Sequence, residues 1–295
     1  MKKTITLICF AFMAVCITNA QEIIRSIKTN DWELILNKDM TYFIEPFGDK
    51  VSVRDYDYLH FLTLPETLVF NSKELEGVLI NGVRWATRNL ASHGKFVEKP
   101  EDYGALFQWG RKGDGHEQRT SPNYPTNNYS YENGAVSGAG LDANGQIVST
   151  HSAYGKFIKQ DVSPYDWRSP QKNDLWNKGT ETTPIKTPND PCPAGWRVPT
   201  EKELKSLINA GSKWGESSGV SGRYFGTAPN QVFLPAAGDR INFTGVVLFS
   251  GENGYYWGSA VSGLYARVLV FYSGNVGVYD DYRAVGFSVR CVSDQ

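Results

Sequence analysis

The side chains that could do chemistry in this 295-residue chain are few and scattered. A thiol nucleophile needs a free cysteine beside a base, and the sequence holds Cys9, Cys16, Cys192 and Cys291. The first two fall in an apolar leader, so two remain. In an exported protein such a pair implies one disulfide, with two separate buried thiols as the alternative. Metal ligation would fall to histidine, yet His60, His93, His116 and His151 show no ligand spacing. Asp114 and Glu117 flank His116 in a glycine-rich stretch, where charges ordinarily sit in solvent. Asp280 and Asp281 are the other acidic pair. Neighbours on an extended strand point to opposite faces, so they form no dyad unless a turn reorients them. No phosphate-cradling loop, nucleophile elbow or dinucleotide fingerprint is present. The expectation is a non-enzyme, with no catalytic residue, cofactor or metal.

The leader carries Lys2 and Lys3, an apolar run over 5–17 and a small-residue exit at Thr18, Asn19 and Ala20. This reads as a signal peptide over 1–20 and an exported, periplasmic, cell-surface or secreted protein. Lipid attachment at Cys16 is the rival, disfavoured by the bulky Val15 before it. The run is too short to span a membrane, and no later segment supplies a span. The formal charge is −1, falling to −3 without the leader lysines, which gives no reason to expect nucleic acid as a partner.

Residues 21–76 read as a small β-rich module, with strand-like alternation near 32–36, 41–47 and 50–64. About 55 residues make a marginal core alone, so this module is expected to pack on a neighbour or on an envelope or pilus partner. A second unit, 77–295, opens with two apolar runs around Asn81 and Gly82, a strong hairpin signal. An aromatic stretch over 103–110 follows, then a long Gly, Asn, Ser and Pro-rich loop over 111–191, with Trp167, Leu175 and Trp176 pinning its second half. Thr200 and Glu203 make a capping box for a helix with Leu204, Leu207 and Ile208 on one face, ending at Gly211. Short strands are expected over 232–235, 245–249, 255–259, 266–272 and 287–292. The fold class is α+β, with antiparallel sheets, few helices and long loops.

Three groups of motifs occur in order: VLINGVRWATRNL (78–90) with YGALFQWGR (103–111), CPAGWRVPTEKEL (192–204), and YYWGSA (255–260) with GFSVRCV (286–292). Over 77–294 the chain resembles the Fibrobacter succinogenes major paralogous domain, common in exported proteins of Bacteroidetes. The resemblance implies a C-type-lectin-like fold, distantly related to formylglycine-generating enzymes, and a disulfide between Cys192 and Cys291. It also implies that Trp196, Arg197 and Pro199 pack at the helix entry against the strand holding Val289 and Cys291. The oxidase chemistry of the enzyme relatives needs active-site cysteines, and the implied bridge would commit both remaining cysteines. Lectins that hold sugar through calcium use a Trp-Asn-Asp strand motif. Trp176, Asn177 and Lys178 depart from it and precede the helix.

The C-terminal stretch carries the functional reading. Lys, Glu, Gln and Met make up 43 of the 295 residues, yet none lies between 253 and 294, where an even spread would place roughly six. These types are disfavoured in strands. They also cannot arise when only the adenines of an asparagine AAC codon are mutated. The pattern resembles the variable region of retroelement-diversified proteins on lectin-like scaffolds. The implied ligand-facing positions are Gly258, Val261, Ser262, Leu264, Tyr265, Val268, Val270, Tyr272, Gly277, Tyr279, Asp280, Asp281, Tyr282 and Val285. The implied fixed frame includes Tyr256, Trp257, Leu269, Phe271, Arg283 and 286–291. Tyrosines with small neighbours give contact area at low entropic cost. The expected function is adhesin-like binding of a surface ligand, protein or glycan, with an envelope or appendage subunit as the alternative. Along 266–272, Leu269 and Phe271 are expected to face inward. Val268, Val270 and Tyr272 would then face solvent as a contact surface, with a strand buried on both sides as the alternative.

Overall fold

The computed structural model describes residues 77–126 and 133–294, together with the backbone of four short strands nearer the N-terminus. The chain divides into two compact units, Met1–Glu76 and Gly77–Gln295. In the first, Ile27–Lys28 pairs with Glu33–Leu34, and Tyr42–Phe47 pairs antiparallel with Lys50–Asp55. The leader with Cys16, and the rest of the strand expected over 50–64, lie outside the described residues.

The second unit begins with a hairpin, β1 (Gly77–Ile80) and β2 (Val83–Ala86). Asn81 and Gly82 turn it with φ of 47° and 80°. That pair of left-handed residues matches the twist of the strands, which is why Asn-Gly is favoured there. The aromatic stretch supplies the short strand β3 (Phe107–Gln108). After the long loop come β4 (Trp196–Arg197) and α1 (Glu201–Asn209). The Thr200 side chain accepts the Glu203 N–H, while the Glu203 carboxylate accepts the Thr200 N–H at 2.8 Å. Arg197 donates twice to that same carboxylate, at 2.6 and 2.7 Å, so the cap is fastened to β4. Leu204 and Leu207 are buried, each stabilising by about 1.5–3 kcal/mol. The chain leaves the helix at Gly211, φ 82°.

A three-stranded meander follows: β5 (Ser212–Ser217), β6 (Val220–Thr227) and β7 (Asn230–Pro235). Its first hairpin was not expected. Ser212–Ser217 is polar and interrupted by Gly215, so it shows no apolar alternation; the legible signal was Ser218 and Gly219, which turn with φ of 51° and 80°. Then come β8 (Asp239–Arg240), β9 (Val247–Leu248), β10 (Gly254–Ser262), β11 (Tyr265–Tyr272), β12 (Asn275–Tyr282), β13 (Gly286–Phe287) and β14 (Val292–Ser293). The four main sheets have the orders β4-β14-β2-β1, β5-β6-β7, β9-β8-β13-β3 and β10-β11-β12, all antiparallel. Among the described residues there is one α-helix, and none is long and apolar enough to cross a membrane. The unit is therefore a β-rich mixed fold.

Two apolar cores fill it. One gathers Trp109, Trp167, Trp176, Trp196, Trp257, Phe287 and both cysteines. The other joins Trp85, Leu204, Leu207, Phe225, Tyr256, Leu269 and Phe271. The long loop is pinned as its tryptophans suggest: Trp167 Nε1 donates to Trp109 O at 2.7 Å and Trp176 Nε1 to Arg111 O at 3.3 Å. Cys192 and Cys291 are bonded, with Cα atoms 6.1 Å apart across a separation of 99 residues. Trp196 pairs with Ser293 and Arg197 with Val292, so the bond staples the helix entry to the terminal strand. Replacing both cysteines by alanine should lower stability by about 2–5 kcal/mol. Urea denaturation of the full chain reads this directly, and an unchanged midpoint would show that the staple constrains nothing.

Candidate functional site

The sheet β10-β11-β12 carries every position expected to face a ligand except Leu264 and Val285, which sit in the turns that bound it. Register defines its two faces. Tyr255 lies beside Val270 and Gly277, and Trp257 beside Val268 and Tyr279, on one side. Tyr256, Leu269 and Val278 line up on the other, with Phe271 and Val276. This second side packs on α1 through the core that holds Leu204 and Leu207.

The centre of β11 is covered on both sides, which corrects the expectation that one face is open. Val268 is fully buried in the same core as Trp257 and Phe287. Gly258 is also buried: a Cβ there would meet Leu204 Cδ1 at 2.9 Å, and its carbonyl accepts Trp109 Nε1–H at 2.9 Å. Val285 is buried in that core just after β12, its N–H bonded to Tyr282 O. These three positions hold the frame rather than face a ligand. Leu264, Tyr265, Tyr272, Tyr279 and Asp280 are exposed, and Val261, Ser262, Val270, Gly277, Asp281 and Tyr282 are half-buried. The accessible residues thus follow the ends of β11 and the free edge strand β12.

Two tyrosine groupings shape this border. At one end Tyr279, 48 % exposed, accepts at its hydroxyl oxygen from Asn275 Nδ2, 3.0 Å away. Its ring lies over Gly277, where a Cβ would come within 2.7 Å of it. At the other end the Tyr282 ring packs between Tyr265, ring centroids 5.5 Å apart, and Tyr165, 4.1 Å, each pair tilted by 32°. Tyr165 belongs to the long loop and was missed, because nothing in its local sequence distinguishes it from other loop tyrosines. Its backbone is left-handed, φ 56°, and its carbonyl accepts the Ala284 N–H at 3.0 Å.

The two neighbouring aspartates take opposite faces, as alternation requires. Asp280 is matched: Arg267 Nη1 donates to it at 2.7 Å and Ser262 Oγ at 3.1 Å, while Arg267 Nε reaches Glu201 at 3.0 Å. Asp281 accepts only the Tyr282 N–H, at 2.7 Å, and has no cation partner among the described residues. Burial pushes its carboxyl up to about 6. Asp239 on β8 is likewise raised to about 6, by burial first and then by the charge of Asp281.

The cluster around His116 is the other place where chemistry could gather, and it is not solvated as expected. His116 is fully buried, Glu117 nearly so, and ligand atoms of Asp114, His116 and Glu117 lie within 4.8 Å of one another. The Gln108 N–H donates to His116 Nε2 at 3.2 Å, which puts the ring proton on Nδ1, 2.8 Å from Asp114 Oδ1. Arg111 binds the other Asp114 oxygen at 2.7 Å. Burial alone would raise the Asp114 carboxyl, but Arg111 and His116 hold it well below the ordinary range. With both ring nitrogens engaged, the cluster is a hydrogen-bond hub that folds the loop onto β3.

Compared with models of known families, with curated proteins and with solved structures, the chain matches none.

The raised Asp239 and Asp281 carboxyls fix a sign. Folded pKa values above the unfolded value mean that the native state holds protons the unfolded chain has lost. Stability from these groups is full below about pH 4 and is lost as pH rises through about 6. Asp281→Asn should therefore flatten the fall in stability between these limits. Urea midpoints of both chains across that range test it, and parallel curves would contradict the assignment.

Proposed function

We propose that residues 77–295 form a C-type-lectin-like ligand-binding module of the Fibrobacter succinogenes major paralogous kind, in an exported, adhesin-like surface protein. The observation that carries this reading is the tyrosine-bearing border of β10-β11-β12. Tyr265, Tyr272 and Tyr279 stand in solvent on strands whose centre is locked into two cores. Rigid aromatic groups on a rigid base bind with little loss of side-chain freedom. The motifs in their order, the staple between helix entry and terminal strand, and the single capped helix support the lectin-like assignment.

Binding rather than catalysis is favoured by the fate of the thiols. Cys192 and Cys291 are bonded to each other, so residues 21–295 keep no free thiol for an oxidase step of the formylglycine-generating type. The ligand is a protein or glycan on another surface. Positions that vary between copies of the gene are those on the accessible border, Val261, Ser262, Leu264, Tyr265, Val270, Tyr272, Gly277, Tyr279, Asp280, Asp281 and Tyr282, together with Tyr165 if its loop co-varies.

The purified chain on a glycan and protein array should capture a defined ligand. Tyr265→Ala with Tyr279→Ala should weaken that capture by about 10-fold or more, while the chain still unfolds cooperatively because neither side chain belongs to the two cores. Undiminished capture by the double variant would place the ligand elsewhere. Sequencing the same gene from sister strains gives a second check. Substitutions should concentrate between 258 and 285 and spare Trp257, Leu269 and Phe271; an even spread along 77–295 would remove the diversification claim.

A further inference from the structure

The sheet β10-β11-β12 has one closed edge and one open edge. On β10 the Trp257 N–H donates to Ser288 O at 3.0 Å, the Ser288 N–H to Tyr255 O at 3.1 Å, and the Ser259 N–H to Pro199 O at 2.7 Å. The outward groups there are those of Tyr255 and Trp257, so Tyr256 bonds inward to its partner Leu269. Bonding alternates along β11, and Val268 and Val270 therefore turn to their partners Tyr279 and Gly277 on β12. This leaves the N–H and C=O groups of Val276, Val278 and Asp280 pointing away from the sheet. No backbone hydrogen bond reaches them among the described residues.

A row of unpaired groups is a template for another strand, and native edges are normally blunted by lysine, proline, a bulge or brevity. β12 has none of these. Asn275–Tyr282 is eight residues long, holds neither lysine nor proline, and pairs with β11 without a register shift. The outer strands of the other main sheets are defended. β3, β4 and β9 have two residues each and β1 has four, β5 carries Lys213 and Glu216, and β7 ends at Pro235. The charges on β12 are Asp280 and Asp281, both near its C-terminal end. Asp280 is matched by Arg267, which also reaches Glu201 on α1. Asp281 accepts the outward Tyr282 N–H at 2.7 Å. That bond brings its carboxylate to the open edge and ends the row there.

We propose that β12 takes up an extended segment of a protein ligand as a fourth, antiparallel strand, with a lysine or arginine of that segment opposite Asp281. The inference rests on the ligand-binding reading above and narrows its ligand from protein or glycan to protein. The open N–H and C=O groups recur at every second residue, about 6.8 Å apart. A polypeptide backbone matches that repeat group for group, and a sugar does not. Alternate side chains of the incoming strand fall beside Asp281, Tyr279 and Gly277. A carboxylate without a cation favours a basic residue at the first position. The Tyr279 ring, lying over a residue with no side chain, favours apolar residues at the next two. Charge complementarity thus selects a basic segment over a second copy of β12, which would bring aspartates and no cation.

The test is an NMR titration of the full chain with the capped peptide acetyl-Lys-Thr-Val-Thr-Val-Thr-amide. Set antiparallel with its lysine opposite Asp281, its second, fourth and sixth N–H groups face β12. The amides of Val276, Val278 and Asp280 should exchange freely in the chain alone and about 10-fold or more slowly at saturating peptide. N-methylation of the second, fourth and sixth peptide residues should abolish binding, and methylation of the third and fifth should preserve it. Norleucine in place of the lysine, or Asp281→Asn in the chain, should each weaken binding by about 3-fold, as loss of one exposed ion pair does. Val278→Pro sets a ring on the open edge and should block the peptide; the two methylated peptides decide the matter if that variant unfolds. No binding of the parent peptide, equal binding of both methylated forms, shifts confined to other strands, or a free chain that dimerises through β12 would each overturn the proposal. Array capture that needs Tyr265 and Tyr279 but ignores Val278→Pro sinks strand addition alone. A peptide that adds to β12 while array capture ignores the tyrosines sinks the adhesin reading alone.

Discussion

The fold depends on one buried run of backbone, residues 283–292, threaded between the sheets. Phe287 and Gly286 pair with β3, Gly286 with Arg240, and Ser288 bridges to Tyr256. Leu90 N–H donates to Val289 O and Ala86 N–H to Cys291 O, and Val292 pairs with both Trp85 and Arg197. At its heart the Arg290 guanidinium is fully buried and donates to Asn89 Oδ1, Ala86 O and Phe233 O at 2.9–3.1 Å. Burial lowers its pKa only to about 10, so it stays charged at neutral pH. A buried charge that loses such acceptors costs several kcal/mol. The first hairpin, its exit loop and β7 must therefore hold their places around this run. The disulfide at Cys291 adds the helix entry to the same assembly.

The same device organises the long loop. Gln108 uses every polar atom of its amide, taking Ile158 N–H and Arg111 at its oxygen and giving to Ile158 O and Ala284 O. Arg240 donates to Gly245, Gln118, Ser121 and Asn123 and lies 4.3 Å from the Phe157 ring. Arg283 sits 4.9 Å from Trp109 and reaches Asn173 and Gly263 O. Long irregular segments stay packed when their backbone carbonyls find buried donors, and here arginine and glutamine side chains supply them.

That is also why legibility was uneven. Local rules were readable: Asn81 and Gly82 for the hairpin, Thr200 with Glu203 for the helix start, Gly211 for its end, and two cysteines for the staple. Tryptophans at 167 and 176 marked where the loop touches the core. Contacts between distant parts of the chain leave no periodic trace, so the packing of Tyr165 on Tyr282 was not legible; the partners of His116, Gln108 and Asp114, are local, but an irregular glycine-rich segment has no period from which burial can be read. The exposure of the C-terminal sheet was half legible. Alternation assigned the sides of β11 correctly, but period alone cannot tell an open face from one covered by a later strand. The covering elements, the 283–287 segment and Trp109, come from elsewhere in the chain, and they turned Gly258, Val268 and Val285 into frame.

Function is thus proposed at a border rather than on a broad face: a rigid sheet whose ends and free edge carry tyrosines. Tyrosine labelling of the full chain, with and without its captured ligand, measures this most directly. Tyr154, exposed in the loop at 42 %, serves as the internal reference. Protection of Tyr265, Tyr272 and Tyr279 with Tyr154 still reactive is the predicted result. Protection of Tyr154 while those three remain fully reactive would contradict it.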